Sequence, residues 1–350
     1  MKTTVTRGRA WHYSHAMGRP SNEDNGATGG FVQPVSVAVA PDGLLFVLSR
    51  GNGESRSADG TPDLSGRIGR TTIEEEHKGD FARTEFTWPT GIAIAGDGNV
   101  YVSDEAENLI KVFPPDLTYP FPEYGPDGEA IGRWGETGDG EGQIDGPSGL
   151  AFDADDNLYV VDSRNARVQK FTKDGRHLSS WGNHGAAEGR FAEPWGITLD
   201  QAGDVYVADW GNDRVQKFSP DGTHLLSFEG TPEDGGDLWH PSDVAVDSDG
   251  DVYVTDWGNR RVKIYDPEGE PLAVLFGDVD AYSKAANYAR ERGEGLIRKM
   301  MDLTEDSVDK VRNFLRPTAI EVYPGDRIVI GDARGRLLVY DKDTNYTPPQ

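Results

Sequence analysis

The chain contains no cysteine, few cations and no long apolar segment, and each absence excludes a class of protein. Without cysteine it has no disulfide bonds, no thiolate metal site and no cysteine nucleophile. Lys and Arg number 35 against 60 Asp and Glu, which gives a formal net charge of −25. Such a charge argues against nucleic acid and against an anionic membrane surface as partners.

The N-terminal residues lack the apolar core of a signal peptide, and no run of roughly 18 apolar residues occurs. We therefore expect a cytoplasmic protein with no membrane-spanning helix. Glycine (44 residues), proline (21 residues) and aromatic residues (10%) are plentiful over the 350 residues. That combination is typical of many short strands joined by turns.

A sequence unit recurs along the chain, and internal repeats decide the fold class before other patterns do. Each unit opens on a proline, alternates through one strand, turns at Asp, Gly or Asn, and continues as a second strand that ends in Asp in the clearest copies. A third and a fourth strand follow. The units begin at Pro34, Pro89, Pro147, Pro194, Pro241 and Pro317. Four antiparallel strands per unit make one propeller blade, so the sequence predicts six blades.

The repeat resembles the NHL-repeat family of β-propellers, most clearly over 147–162, 194–209 and 241–256. The resemblance covers nearly the whole chain and implies an all-β, six-bladed propeller in one domain, residues 1–350. Among NHL-like enzymes, peptide-amidating lyases place His directly after the repeat proline to bind metal. The residues at that position here are Val35, Thr90, Ser148, Trp195, Ser242 and Thr318. The paired-His and Glu arrangement of streptogramin-inactivating lyases is not found either.

The last unit supplies three strands, within 319–340, and then ends in a proline-containing tail that is poorly suited to pairing. Residues 11–18 fill the place of a fourth strand ahead of the first unit. We expect this N-terminal strand to join the last blade and close the ring, which would remove an exposed sheet edge.

Two long segments depart from the repeat on the face where second strands end, which we call the top face. Residues 50–66 are polar and rich in glycine, and residues 278–314 contain helix formers with apolar residues three and four apart. We expect a helical insert at 278–314 that acts as a lid, a plug or an oligomer contact. A proline-rich segment, 114–127, is expected on the opposite face.

The acids that recur at one position of the repeat favour structural roles over a metal ring. Asp104, Asp162, Asp209, Asp256 and Asp332 end second strands, where carboxylates accept turn amides, and Arg167, Arg214 and Arg261 follow five residues later. The acidic hairpins lack the Glu of a calcium loop. We expect no zinc, whereas calcium held by backbone carbonyls in the central channel stays open. No other cofactor is indicated.

Aromatic and basic residues on the top face are the best site candidates. Trp195, Trp210 and Trp257 stand at rim positions of adjacent blades, where indoles bind sugars, aromatic groups, peptides or cations, or else pack beneath the insert. The other candidates are His240, Arg164, Arg50 and Arg334. The sequence predicts a propeller that binds a small molecule or peptide in a top-face funnel. The alternatives are a lyase or hydrolase acting in that funnel, although no catalytic motif is complete, and a protein-interaction scaffold.

Overall fold

The computed structural model describes residues 3–18, 31–51, 66–83, 85–115, 129–230, 236–277, 279 and 313–347. The predicted helical insert at 278–314 lies almost entirely outside the described residues, as do most of the loop at 50–66 and most of the segment at 114–127. Within the described part, the chain is all β apart from two short 3-10 turns, Ser163–Asn165 and Trp210–Asn212. No helix there is long and apolar enough to cross a membrane.

Six antiparallel sheets form the six blades, as the repeat predicts. Strands β1 (Thr3–Thr6) and β2 (Arg9–Gly18) come first in the chain. Blade 1 contains β3 (Pro34–Val39), β4 (Leu45–Ser49), β5 (Arg67–Thr71) and β6 (His77–Phe81); blade 2 contains β7 (Pro89–Ile94), β8 (Val100–Asp104), β9 (Leu109–Phe113) and β10 (Gly132–Trp134); blade 3 contains β11 (Pro147–Phe152), β12 (Asn157–Asp162), β13 (Arg167–Thr172) and β14 (His177–Trp181).

The second half of the ring repeats this order. Blade 4 contains β15 (Pro194–Leu199), β16 (Val205–Asp209), β17 (Arg214–Phe218) and β18 (His224–Phe228); blade 5 contains β19 (Pro241–Val246), β20 (Val252–Asp256), β21 (Arg261–Tyr265) and β22 (Pro271–Leu275); blade 6 contains β23 (Pro317–Tyr323), β24 (Arg327–Asp332) and β25 (Arg336–Asp343).

Blade 6 also holds both N-terminal strands. β2 pairs antiparallel with β25, from Ala10 opposite Asp343 to Gly18 opposite Arg336. β1 then adds a fifth strand outside β2, which the sequence analysis does not anticipate. The first and last segments of the chain therefore share one sheet.

The core lies between adjacent blades. Alternate residues of each strand point to opposite faces of its sheet, so each sheet packs on both neighbours. Phe46, Phe81 and Phe113, for example, form one buried cluster between blades 1 and 2. Each inner strand shifts its pairing register against the second strand just after its proline, as a β-bulge does.

Candidate functional site

Neighbouring inner strands are joined at the top face by hydrogen bonds from the residue after the repeat proline. In four blades that residue is Ser or Thr, and its hydroxyl donates to the carbonyl oxygen of the next blade's proline. The pairs are Thr90 to Pro147 (2.8 Å), Ser148 to Pro194 (3.3 Å), Ser242 to Pro317 (3.0 Å) and Thr318 to Pro34 (2.5 Å). A hydroxyl at this position therefore links blade to blade.

Blades 1 and 4 break this pattern, because the residues after their prolines are Val35 and Trp195. In blade 1 a different side chain supplies the bond, since Nε of Arg50 donates to the carbonyl oxygen of Pro89 at 3.3 Å. In blade 4, Trp195 has no hydroxyl to offer Pro241. The two exceptions lie in opposite blades of a six-membered ring.

Arg50 and Trp195 belong to a continuous row of indole rings and guanidinium groups. The Cζ atom of Arg50 lies 4.6 Å from the ring centre of Trp88 and 5.9 Å from that of Trp195. The ring centres of Trp195 and Trp210 are 6.1 Å apart, and those of Trp210 and Trp257 are 5.0 Å apart. Cζ of Arg316 lies 3.9 Å from the ring centre of Trp257. We call these six residues the mouth belt.

The mouth belt crosses the channel opening. Arg50 follows β4 of blade 1, whereas Trp195 lies in β15 of blade 4, three blades away. Opposite blades can touch only over the central axis, so the contact between these two side chains spans the mouth. Trp195, Trp210 and Trp257 are all partly exposed. The belt therefore presents indole surface at the entrance to the channel.

Arg50 is the most enclosed cation of the belt. Burial lowers the pKa of its guanidinium to about 10, although the nearby charge of Glu105 acts in the opposite direction. The group remains charged at neutral pH. It forms no ion pair with any described residue, and its charge instead faces two indole rings, an arrangement stabilised by cation–π attraction.

His240 supports the belt from the side. Its ring stacks on Trp210 with 4.8 Å between ring centres and 4° between planes, and its Nδ1 lies 3.1 Å from the carbonyl oxygen of Trp210. The backbone N–H of His240 donates to Asp213 at 2.8 Å, which fixes the residue in a left-handed conformation with φ of 55°. These contacts hold Trp210 in place.

The two remaining sequence-predicted arginines differ in their surroundings. Arg164 is exposed and forms ion pairs with Glu105 (2.9 Å) and Asp145 (3.1 Å). Arg334 is partly buried, and its Nε atom has no hydrogen-bond partner among the described residues. Burial lowers the pKa of Arg334, Asp332 opposes that shift, and the like charges of Arg336 and Arg260 add to it.

The structure thus brings Trp195, Trp210, Trp257, His240 and Arg50 together. Arg164 instead forms ion pairs, and one of its partners, Glu105, is close enough to act on the charge of Arg50. Sequence reasoning missed two members of the belt, Trp88 and Arg316. Both immediately precede a repeat proline, as His240 does. In three blades the residue that follows the second strand contacts the residue before the next blade's proline: Arg50 with Trp88, Trp210 with His240, and Trp257 with Arg316. Comparison of the pre-proline positions would have found them.

Two carboxyl groups lie beneath the belt on inner strands of blades 5 and 6. Asp243 accepts the backbone N–H of Ile320 at 3.0 Å, and Glu321 follows Ile320 in β23. Burial raises the pKa of Asp243 to about 7; burial, and then the charge of Asp243, raises the pKa of Glu321 to about 8. Both side chains keep some accessible surface although protein surrounds them, as expected beside a narrow channel.

Close packing at Gly196 links this pair to the belt. A Cβ atom at Gly196, the residue after Trp195, would lie 2.4 Å from Oδ1 of Asp243. Glycine is therefore required there for the inner strands to approach, and it brings the Asp243 carboxyl next to the strand that carries Trp195. Neither acid was singled out from the sequence, although each stands at an inner-strand position that is small or hydroxylated in the other blades. Comparison of those positions would have found both.

The acids that end the second strands have structural roles, as predicted. In blade 3, Asp162 is fully buried and accepts hydrogen bonds from the backbone of Asp145 (2.7 Å), from Asn165 and from Nε of Arg167 (2.7 Å). Arg214 with Asp209 and Arg261 with Asp256 form the same ion pair in blades 4 and 5. These contacts fasten the start of the third strand to the connection between blades.

Metal binding stays a prediction. The described residues contain no group of three or more His, Cys, Asp or Glu side chains arranged to hold a metal ion. Calcium held by backbone carbonyls in the channel, and the expectation of no zinc, rest on the sequence argument alone.

Comparisons with known proteins agree with the repeat analysis. Residues 238–265 match the NHL repeat model, and residues 132–233 match the model of the SMP-30/Gluconolactonase/LRE-like region. No curated protein gives a significant match. The matched repeat and the six-bladed fold confirm the resemblance to NHL-repeat propellers.

Solved structures with the same fold cover between 78% and 97% of the chain. A catalytically inactive virginiamycin B lyase from Staphylococcus aureus, solved with quinupristin, has a TM-score of 0.53 at 14% identity and covers 97% of this chain and 93% of its own. A Bacteroides thetaiotaomicron protein of unknown function has a TM-score of 0.60 at 17% identity, covering 96% and 76%. The nidogen/laminin complex contains a chain with a TM-score of 0.51 at 18% identity, covering 78% and 92%. Likeness at this identity shows the fold alone.

Proposed function

We propose that this six-bladed NHL-repeat propeller binds a small molecule or short peptide at the mouth of its channel, on the mouth belt. The observation that carries the proposal is the contact of Arg50 with Trp195 across the opening. In blade 4, Trp195 stands where four other blades have a Ser or Thr whose hydroxyl links one blade to the next. Such a departure from a structural pattern at the entrance of a cavity favours a ligand contact.

The physical properties of the belt suit that role. Indole rings bury much apolar area with little loss of side-chain entropy, and they accept flat or apolar groups on their faces. Here three adjoining tryptophans remain partly exposed on a rigid scaffold. A ligand lying over Trp210 and Trp257 would cover surface that is otherwise left in contact with water.

The double substitution Trp210→Ala and Trp257→Ala tests the proposal against a packing role. A ligand is first sought among small molecules and short peptides by its effect on the melting temperature, since binding to the native state raises stability. We expect the double variant to lose that ligand and to keep its fold. A loss of about 3–5 kcal/mol for each tryptophan would instead show that both are packing residues.

Trp134→Ala is the matched control. Trp134 lies in the short outer strand β10 and packs on Phe171, with 5.0 Å between ring centres. Its loss should lower stability and leave ligand binding unchanged. If Trp134→Ala and the double variant had the same effects on binding and melting, the belt would have no special role, and an interaction scaffold would be favoured.

One observation favours the second candidate, a lyase or hydrolase acting at the same mouth. Asp243 and Glu321 have pKa values raised by burial, and carboxyl groups titrating near neutral pH are suited to general acid–base catalysis. The similar virginiamycin B lyase is an enzyme of this fold.

Mass spectrometry of any ligand found by the screen separates these functions. A hydrolase adds the mass of water to the products, and a lyase breaks a bond by elimination without adding water. A binding protein returns a molecule with unchanged mass and unchanged chromatographic retention. Under the enzyme hypothesis, Glu321→Gln should abolish turnover and retain binding. If turnover persisted in both Glu321→Gln and Asp243→Asn, neither carboxyl group would be the catalytic acid or base.

A further inference from the structure

The mouth belt ends in a group of three arginines. Arg316 lies over Trp257 and is exposed, Arg334 is partly buried in the connection between β24 and β25, and Arg260 is close enough to affect the charge of Arg334. None of these three forms an ion pair within the part of the chain that the structure covers. This stands out in a protein of net charge −25.

The nearest carboxylate is already used. Asp332 is fully buried and pairs with Arg336, whose Nε lies 3.0 Å from Oδ2. Its Oδ1 accepts the backbone N–H groups of Arg316 (3.2 Å) and Arg334 (3.4 Å). The same acid therefore fixes the backbone at both arginines without neutralising their side chains. The backbone N–H of Ala333 also donates to the carbonyl of Arg316 at 3.0 Å, so the two segments lie side by side.

Four other top-face arginines do have carboxylate partners. Arg164, three blades away, is held between two carboxylates, and Arg167, Arg214 and Arg261 each pair with a buried aspartate. Arg316 and Arg334 have no such acid among the residues that the structure describes, and their side chains form a local positive surface in a protein rich in acids. In addition, Nε of Arg334 is buried and has no hydrogen-bond acceptor in the described part of the chain, which costs free energy unless a ligand supplies one.

We propose that the ligand of the mouth belt carries a carboxylate or phosphate group, bound by Arg334 and Arg316, next to a flat apolar part that lies on Trp257 and Trp210. The inference rests on the proposed function and adds the charge of the ligand. A guanidinium group presents its donors in a plane that matches both anions. The contact of Arg316 with Trp257 brings the anion site and the indole surface together.

The test compares three probes of one shape: 2-naphthoate, 2-naphthyl phosphate and the neutral 2-naphthamide. Binding is measured by isothermal titration calorimetry on the full chain. We expect at least one anion to bind about tenfold more tightly than the amide, an advantage that charge-assisted hydrogen bonds can supply. Raising the salt concentration from about 50 to about 500 mM should weaken binding of the anions and leave the affinity for the amide unchanged. The overall negative charge acts against anions, so any preference must be local.

Arg334→Gln and Arg316→Gln should each reduce the preference for the anion and retain binding of the amide. Arg327→Gln is the control, because Arg327 lies at the opposite end of β24 and pairs with Asp341 at 3.1 Å. It removes the same charge from the same blade and should have no effect. Melting curves of all three variants establish that each is folded.

The outcomes separate this inference from the proposed function. If anions and amide bind equally, or if the preference survives Arg334→Gln and Arg316→Gln together, the mouth binds ligands without an anion site and the inference is wrong. If none of the three probes binds, the inference is also wrong for aromatic anions, whereas the proposed function still depends on the wider ligand screen and the tryptophan variants. If Arg327→Gln lowered the preference for anions more than Arg334→Gln did, that preference would come from the overall charge of the protein and the inference would be wrong.

Discussion

Trp195 shows how one residue can depart from a repeat without disturbing it. In four blades the residue after the proline links inner strands through its hydroxyl, and in blade 1 Arg50 donates to the same kind of carbonyl. A neutral hydrogen bond contributes about 1 kcal/mol. Loss of one such bond in a closed ring costs little free energy compared with the apolar contacts between blades. An indole at this position is therefore tolerated.

The carboxyl pair beneath the belt makes a residue-level prediction about pH. The pKa is about 7 for Asp243 and about 8 for Glu321, each raised first by burial, whereas carboxyl groups of an unfolded chain titrate near 4. Between these limits the unfolded chain releases protons that the native state retains. Stability contributed by these groups is therefore lost as pH rises from about 4 to about 8.

Glu321→Gln should remove much of this dependence. Because the amide cannot ionise, the variant should gain stability over the native sequence as pH rises from 5 to 8, by up to about 1.4 kcal/mol for each pH unit. Urea unfolding at several pH values measures the slope. The control is Glu141→Gln, which removes a carboxylate from an exposed position and should leave the slope as it is. If the free energy of unfolding changed equally with pH in the native chain and in Glu321→Gln, the raised pKa of Glu321 would be contradicted.

At the scale of elements, a lysine of the last strand fastens blade 6 to blade 5. Nζ of Lys342, in β25, lies 2.5 Å from Asp247, 2.9 Å from Asp249 and 2.8 Å from Asp251, all in the hairpin between β19 and β20. The lysine side chain has no exposed surface, and neither do those of Asp247 and Asp251. Burial disfavours the charged form of the lysine, but the hydrogen bonds that its ammonium group donates to the three acids outweigh that effect and raise the pKa of Lys342.

Lys342→Met should therefore be strongly destabilising. It leaves buried carboxylates without their main counter-ion, a loss of about 3–5 kcal/mol in other proteins. Lys173→Met is the matched control, because Lys173 bridges blades 3 and 2 through Asp97 at 2.9 Å but both side chains are about 40% exposed. We expect no measurable change there. Denaturant midpoints compare the two variants, and similar midpoints would show that burial of the lysine is unimportant.

Most strands could be predicted from the sequence because each repeat marks its strands and turns with the same residue types. Proline, alternating residues, an Asp–Gly turn and a terminal Asp locate the first two strands of each blade, and the six prolines give the number of blades. β1 was missed because Thr3–Thr6 has no counterpart in the repeat. The belt was found only in part, because contacts such as Arg50 with Trp195 join residues far apart in sequence and depend on ring closure.

For the whole molecule, the decisive contact is between the two ends of the chain. β2 contributes Trp11, Tyr13 and Met17, each at most 1% exposed, and Nε1 of Trp11 donates to the hydroxyl of Tyr253 in blade 5 at 2.9 Å. The N-terminal strand therefore packs against a blade other than its own. A propeller has no other core than the spaces between blades, so this strand completes the last of them.

Deletion of residues 1–18 should consequently destabilise the entire ring. It exposes the edge of β25 and removes three large buried side chains, each contributing about 1.5–3 kcal/mol, against a total stability of about 5–15 kcal/mol for a typical domain. The matched control deletes residues 1–8, which removes β1, a strand with partly exposed residues that pairs only with β2. Calorimetry should show a small shift for the shorter deletion and a loss of the cooperative transition for the longer one. If both proteins melted at the temperature of the intact chain, the N-terminal strand would be an appendage to the ring.

Because the mouth belt joins blades 1 and 4 across the axis, opening the ring should also separate Arg50 from Trp195, and binding at the mouth should be lost together with the fold.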